Sequence, residues 1–594
     1  MEGRSLFDAS RQRTATLTVA AAVALVLGAI AFLVLQAEVF YSIDGAVKFI
    51  QAEAFRTSGF RSMALPYPGQ RIDPDGLFVP FEPPFVFRGA GQYQSIFPSA
   101  FALLASLVVG LGPGALRALA IAGGALAAAG SGWLGDRGPR WILPAIVAFA
   151  TPLWFYATGA GESTIALAAS TWAFVVAMRG ERGPDRLRQG YGESAEALRA
   201  KAEGPPPQGP PANAERLDAV AGLLLGFAAI FRDEALLLLP GLVYARYLTA
   251  GRATRWVTLL ASVAAPILLM AAVDWVWLDR PPLAHLRHAV SLVNSVLPRA
   301  RAVLPKLETL TWHERIDTMT FYWWLGDGGW LLAIGVTGSL IAAALMRRTR
   351  QGPVIVAAIV VSAVAIQIRD VGPLLAAPKF LTGLLRLAPF FLFACLPSAP
   401  GSGPSRTRRV ALITTAACTL LTLLSLSTTG GKGLGPRLTM SLWPLLAAAA
   451  LEGLDSWRRW AGTAWVRQPI VWGGGLLIAG SMVMELGVAL PALAMRSHED
   501  QEALALIRQI PDRVVVLDDD NLMQLMGPDY FTREVLFVAR EDLWLRLGEA
   551  LAADGEMRLL VISRRQPRDA TMIPPFRFAE SWSVSRYWVG RWVR

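Results

Sequence analysis

The sequence predicts an α-helical polytopic membrane protein with about 13 transmembrane helices, followed by a small C-terminal α/β domain. Three observations carry this prediction. Apolar blocks of about 16 to 22 residues recur along the chain, the length a helix needs to cross hydrocarbon. Lys and Arg gather in the short segments between blocks, where they set membrane orientation. After residue 495 the pattern changes to short apolar strands alternating with helices.

Composition agrees. The 594 residues are 54% hydrophobic and 17% charged, against about a quarter charged in a soluble protein. The net charge of +11 does not indicate nucleic acid, because the positive residues lie mostly between apolar blocks and no separate basic domain exists to grip a duplex. Cys395 and Cys418 both fall in apolar blocks and read as small buried hydrophobes, neither a disulfide framework nor a zinc site.

The blocks begin near 14, 115, 141, 163, 217, 234, 256, 327, 353, 379, 409, 438 and 469. Arg4, Arg11 and Arg13 precede the first, which is longer than a signal-peptide core and lacks a small-residue exit, so it is expected to be retained with its N-terminus inside. Basic clusters at Arg137 and Arg140, at Arg252 and Arg255, at 347–350, at Arg406, Arg408 and Arg409, and at Arg458 and Arg459 are expected inside. So is the Pro- and Gly-rich segment 180–216, read as a flexible cytoplasmic linker. Segments 36–114, 158–162, 278–326, 370–378 and 429–437 then lie outside, with residues 1–495 forming the bundle and 496–594 an extracytoplasmic domain. The short apolar run 98–111 is expected to be re-entrant or interfacial, since a spanning helix there would invert every later cluster. The predicted address is a bacterial cytoplasmic (inner) membrane. Loop 278–326 is basic although outside, and an anionic lipid phosphate is the obvious partner for such charge.

In the C-terminal part, 513–517 and 558–563 read as strands and 502–507 and 540–551 as helices, which suggests a parallel pair. The run Asp518-Asp519-Asp520-Asn521 reads as a solvated strand-end turn, with a metal or sugar site as the alternative. No internal repeat is evident by eye.

Four polar clusters fall on the expected outer side. Asp44 and Lys48, with Glu53, Asp73, Asp75 and Glu82, occupy the loop after the first span. Glu162 ends a Gly-rich turn, Thr158-Gly159-Ala160-Gly161. Phe231-Arg232-Asp233-Glu234 is wedged between two apolar runs, where an internal ion pair is the plainer reading. Lys432 and Arg437 flank a glycine-rich segment whose backbone could approach a phosphate closely, or which simply makes a flexible turn. Charge beside hydrocarbon is expensive and commonly functional. His285 and His288, at i and i+3, with Glu82 or Glu314, could hold a divalent metal.

The order of these features resembles the GT-C membrane glycosyltransferases, in particular aminoarabinose transferases and bacterial protein O-mannosyltransferases. Asp44-Gly45 after the first span, Glu82-Pro83-Pro84 late in the first outer loop, Pro152 before the Glu162 turn, Phe231-Arg232-Asp233-Glu234-Ala235 before a run ending in Pro240, and Gly435-Pro436-Arg437 carry the resemblance, over about residues 14–490. It implies transfer of sugar from a polyprenyl-phosphate carrier to a lipid, glycan or protein acceptor. Asp44 would be the catalytic carboxylate and Glu162 the second acidic group. Two departures stand out: Glu162 where relatives often have Asp, and Glu82 where His-Pro-Pro is common, which puts a metal role there in doubt. Glycosyl transfer needs a base for the acceptor hydroxyl and cations for the leaving phosphate. Asp44 suits the first need; Arg232, Lys432 and Arg437 suit the second, with Glu82 and Glu234 as further cavity residues. The rival reading is a polytopic lipid or glycan transporter or flippase, against which stand the absence of matching halves and the gathering of charge at one face. A non-catalytic membrane assembly protein is a third.

Overall fold

The computed structural model describes residues 2–81, 85–89, 91–135, 140–179, 212–250, 254–278, 311–318, 338, 340–346, 349–376, 383–425, 437–519, 522–538, 540–564 and 573–594. Apolar blocks become helices in the predicted order. They are α1 (Glu2–Ala29), α4 (Pro113–Leu134), the broken pair α5 (Leu143–Phe149) and α6 (Leu153–Thr158), α7 (Ser163–Met178), α8 (Ala212–Phe231), α9 (Leu239–Ala250) and α10 (Trp256–Val276). Then follow α12 (Gln351–Ala376), the short α13 (Leu384–Leu387) and α14 (Leu392–Cys395), α15 (Arg406–Ser425), α16 (Trp443–Arg459) and α17 (Ala464–Met482). Short α11 (Trp312–Asp317) lies between α10 and α12. The block near 327 falls largely outside the described residues. Among the described residues, six helical runs are long and apolar enough to cross a bilayer, with Ser163–Met178 and Arg140–Phe149 shorter.

Small residues set the helix spacing. A Cβ on Gly222 or Gly226 of α8 would stand 2.5 and 2.3 Å from the Leu259 and Val263 carbonyl oxygens of α10, so these backbones touch. Between α4 and α7 the hydroxyl of Thr164 donates to the Ala120 carbonyl at 2.7 Å.

Both ends of the bundle carry buried polar contacts. At one end Arg246 pairs with Asp218 at 2.5 Å, both sealed from solvent, and donates to the Ala177 carbonyl at 3.2 Å. At that end too, Thr407 donates to the Leu134 carbonyl at 3.0 Å, and the guanidinia of Arg13 and Arg179 lie 5.7 and 5.4 Å from the Trp133 ring centroid. At the opposite end stand Asp44, Glu162, Arg232 and the sheet domain.

The stretch after the first span differs from its expected loop form. Residues Ile43–Thr57 are helix α2, capped by the Ser42 hydroxyl. The run 98–111 is short as expected, with α3 (Ser99–Ser106) packed on α2. Strands β1 (Val86–Gly89) and β2 (Gln92–Ser95) form a hairpin.

Beyond α17, a π-helical stretch Val483–Ala489 leads into α18 (Leu490–Gln509). The helical run Ala464–Gln509 therefore passes through residue 496 unbroken, and the bundle and the domain share one rod. The domain is a five-stranded sheet in the order β4-β3-β5-β7-β6. It comprises β3 (Val514–Leu517), β4 (Glu534–Phe537), β5 (Arg558–Ser563), β6 (Arg577–Val584) and β7 (Tyr587–Val593), with helix α19 (Leu543–Ala553). Strand β3 runs parallel to β4 and β5, as the predicted pair requires, while β7 is antiparallel to β5 and β6. The segment between α2 and β1 is built into this domain. Tyr67, Ile72, Phe78 and Val79 share a core with Val514, Leu536 and Trp544, and Arg71 pairs with Glu534 at 2.9 Å.

Candidate active site

Asp44 occupies the first turn of α2, where unpaired backbone N–H groups favour a carboxylate. One turn on, at i+4 and thus on the same face, comes Lys48. Its ammonium is buried, 2.7 Å from Glu162 Oε2 and 4.5 Å from the Phe97 ring centroid. Glu162 precedes α7 at the end of the Gly-rich turn, and its Oε1 lies 3.4 Å from Arg232 Nη1. That nitrogen also donates to Ser163 Oγ at 2.9 Å. Arg232 grips Glu234 with two further donors, at 3.2 and 2.5 Å, so the expected local ion pair exists and reaches on to Glu162. Gly45 lies against the same turn: a Cβ there would stand 3.4 Å from the Ala160 carbonyl oxygen.

The chain thus brings Asp44, Lys48, Glu162, Arg232 and Glu234 from three distant segments to one end of the bundle. Glu162 bridges two cations. Removing either charge type from such a buried set is costly, because the remainder is left uncompensated.

Other expected residues fall elsewhere. Glu53 pairs with Arg56 of its own helix. Asp73 organises its loop, accepting from Tyr67 Oη at 2.7 Å and from the N–H groups of Leu77 and Phe78 at 2.9 and 2.7 Å. Glu82, His285, His288 and Lys432 lie outside the described residues, as does the side chain of Arg437, whose backbone opens the helical turn before α16. Among the described residues no group of three or more His, Cys, Asp or Glu is arranged to hold a metal ion. Asp519 stands 3.6 Å from Arg564.

No family model matches the chain, and no curated protein does. Among solved structures, it is similar to the crystal structure of ArnT from Cupriavidus metallidurans bound to undecaprenyl phosphate, at 13% identity over 97% of both chains with a TM-score of 0.46. It is also similar to the archaeal oligosaccharyltransferase AglB from Archaeoglobus fulgidus in complex with an inhibitory peptide and a dolichol-phosphate, at 12% identity over 91% of this chain and 69% of that one, with a TM-score of 0.42.

Two supports of the site escaped sequence reasoning. Arg117, inside α4 and 1% exposed, donates to the carbonyls of Ala31, Gln36 and Val39 at 3.1, 2.6 and 2.5 Å and covers the Tyr41 ring at 4.6 Å. It fastens the chain between the first span and Asp44. A lone Arg among apolar residues was the only local signal. Glu485, in the π-helical stretch, accepts from the Trp154 indole N–H at 2.7 Å. Trp154 lies in α6, directly before the Gly-rich turn. Lys48 was visible in sequence, but only a helical reading of 43–57 puts it on the face of Asp44.

Proposed function

We propose that this protein is a membrane glycosyltransferase of GT-C type that moves a sugar from a polyprenyl-phosphate carrier to a lipid, glycan or protein acceptor at the extracytoplasmic face. The observation that carries this reading is the buried Lys48–Glu162–Arg232 network, with Asp44 one helical turn before Lys48 on α2, at the bundle end away from the basic clusters. That end is then the outer face by the distribution of Lys and Arg.

In this mechanism Asp44 takes the proton from the acceptor hydroxyl as its oxygen attacks the anomeric carbon. The bond from that carbon to the carrier phosphate breaks, and the phosphate leaves with the bonding pair. Lys48 and Arg232 face the charge that builds on it. Glu162 positions both cations and does not itself take a proton.

Charge balance refines the proposal. The cluster holds two cations, Lys48 and Arg232, and three carboxylates, Glu162, Asp233 and Glu234, with Asp44 one helical turn from Lys48. A phosphate needs more positive charge than that. Lys432 and Arg437 are assigned to supply it. A divalent cation at Glu82, His285 and His288 would meet the same need, and chelation tells the two apart.

The test is purified protein with a labelled polyprenyl-phosphate sugar and envelope extract. Wild type is expected to transfer label and Asp44→Asn to fold and insert but not transfer. Normal transfer by Asp44→Asn overturns the reading, and carrier movement across vesicles without transfer would make the protein a transporter.

A further inference from the structure

The C-terminal end of α2, about 20 Å from Asp44 at 1.5 Å per residue, carries a second feature that the transfer chemistry does not use. A groove of about 440 Å³ opens there, lined by Ser58, Ser62, Gln70, Arg88, Gln92 and Tyr93, among others. Arg88 lines it, and Arg61 is the chain neighbour of the lining residue Ser62. Arg88 covers the Tyr93 ring at 5.8 Å and donates to the Asp75 carbonyl at 3.4 Å, while neither Arg88 nor Arg61 has a carboxylate partner among the described residues. Arg56 pairs with Glu53, and Asp75 is the exposed acidic residue of the adjoining loop.

Directly beside this polar groove lies an apolar ledge. Phe60 is 41% exposed, Leu107 72%, Leu111 84% and Trp277 52%. Phe60 adopts φ of 62° after Gly59 at 69°, a backbone state that residues with a side chain avoid. The turn presents its ring outward while keeping an edge contact with Phe55 at 5.5 Å, and Phe55 in turn meets Trp277 at 5.9 Å. Leu111 stands two residues before α4, and Trp277 just after α10, both candidate spans. The ledge is therefore at the level where a span leaves hydrocarbon, the usual depth of interfacial aromatic residues.

We propose that this groove seats the phosphate-bearing head group of an anionic membrane lipid, with its acyl chains on Phe60, Leu107, Leu111 and Trp277. Arg88 meets the phosphate from within the groove, Arg61 reaches it from beside Ser62, and the Gln70 and Gln92 amides meet the remainder of the head group. A cationic polar slot next to an exposed apolar ledge fits an amphipathic anion better than it fits a soluble one.

The site is separate from the transfer chemistry and is tested by binding. The full chain is placed in phosphatidylcholine nanodiscs containing a small share of phosphatidylglycerol, released, and examined by native mass spectrometry. Wild type is expected to retain phosphatidylglycerol well above its share. Arg61→Ala/Arg88→Ala, and separately Gln92→Trp, which fills the groove, are expected to reduce that retention at least fivefold, while Asp44→Asn leaves it unchanged. Equal retention by wild type and both variants overturns the proposal, as does displacement of the lipid by millimolar inorganic phosphate, which would mark a site for free anion.

Discussion

The indole N–H of Trp154 donates to Glu485 Oε2 at 2.7 Å across 331 residues of sequence. Both side chains are fully buried, and Glu485 Oε1 has no partner among the described residues. Glu485→Gln keeps an acceptor for the indole and is expected to leave stability within about 1 kcal/mol of wild type. Glu485→Leu strands the N–H and is expected to cost about 1–3 kcal/mol. Unfolding in detergent, followed by helical circular dichroism, separates the two.

Glu162 holds Lys48 and Arg232 at 2.7 and 3.4 Å. Glu162→Ala takes the carboxylate from buried Lys48 and leaves Arg232 to Glu234, and is expected to cost about 3–5 kcal/mol. Lys48→Met/Glu162→Leu removes one charge of each sign and is expected to recover much of that loss while remaining inactive. Paired melting and transfer measurements check this, and recovery of activity in the double variant would exclude the network from the chemistry.

Arg117 reaches three carbonyls from one planar fork. A lysine ammonium cannot span the three directions and is more strongly hydrated. Arg117→Lys is expected to destabilise by about 1–3 kcal/mol. Faster hydrogen exchange is expected at 36–42, leading to Asp44, with little change in the C-terminal sheet.

Burial raises the carboxyl pKa of Asp518, the residue after β3, above its ordinary value of 3.8, a shift only partly offset by the hydrogen bond with Ser563. The folded state therefore favours the protonated form. The sign follows: this group's stabilising contribution is complete below about pH 4 and is lost as pH rises through the elevated value. Asp518→Asn in the full chain is expected to be more stable than wild type at neutral pH, and the two should converge below pH 4. Melting curves across pH 4–8 test it.

The succession of helices was legible because burial in lipid demands long apolar runs, and the charged breaks at Glu162 and Arg232 stood out against them. Segment 43–57 reads as loop in sequence because Asp44, Lys48, Gln51 and Glu53 interrupt its apolar residues; the helix buries Lys48 and Gln51 as well as its apolar side chains, and no local pattern records that. Arg117 and Glu485 were invisible for a different reason. Each is satisfied by groups far along the chain, and no local spacing records such a partnership. Strand β6 carries polar residues along the sheet edge, and β7 is interrupted by Gly590 and Arg591, so both give a weaker apolar signal than β3 and β5. The boundary expected at 496 marked a change of composition and not of backbone, since α18 continues through it.

That unbroken rod has a mechanical consequence. A domain tethered by a pliable linker would nod and swivel independently of its anchor. Here the sheet follows one continuous helical run whose π-helical stretch carries Glu485, so a tilt of the sheet about that stretch would be felt first at the Glu485–Trp154 hydrogen bond and, through α6, at the turn that ends in Glu162.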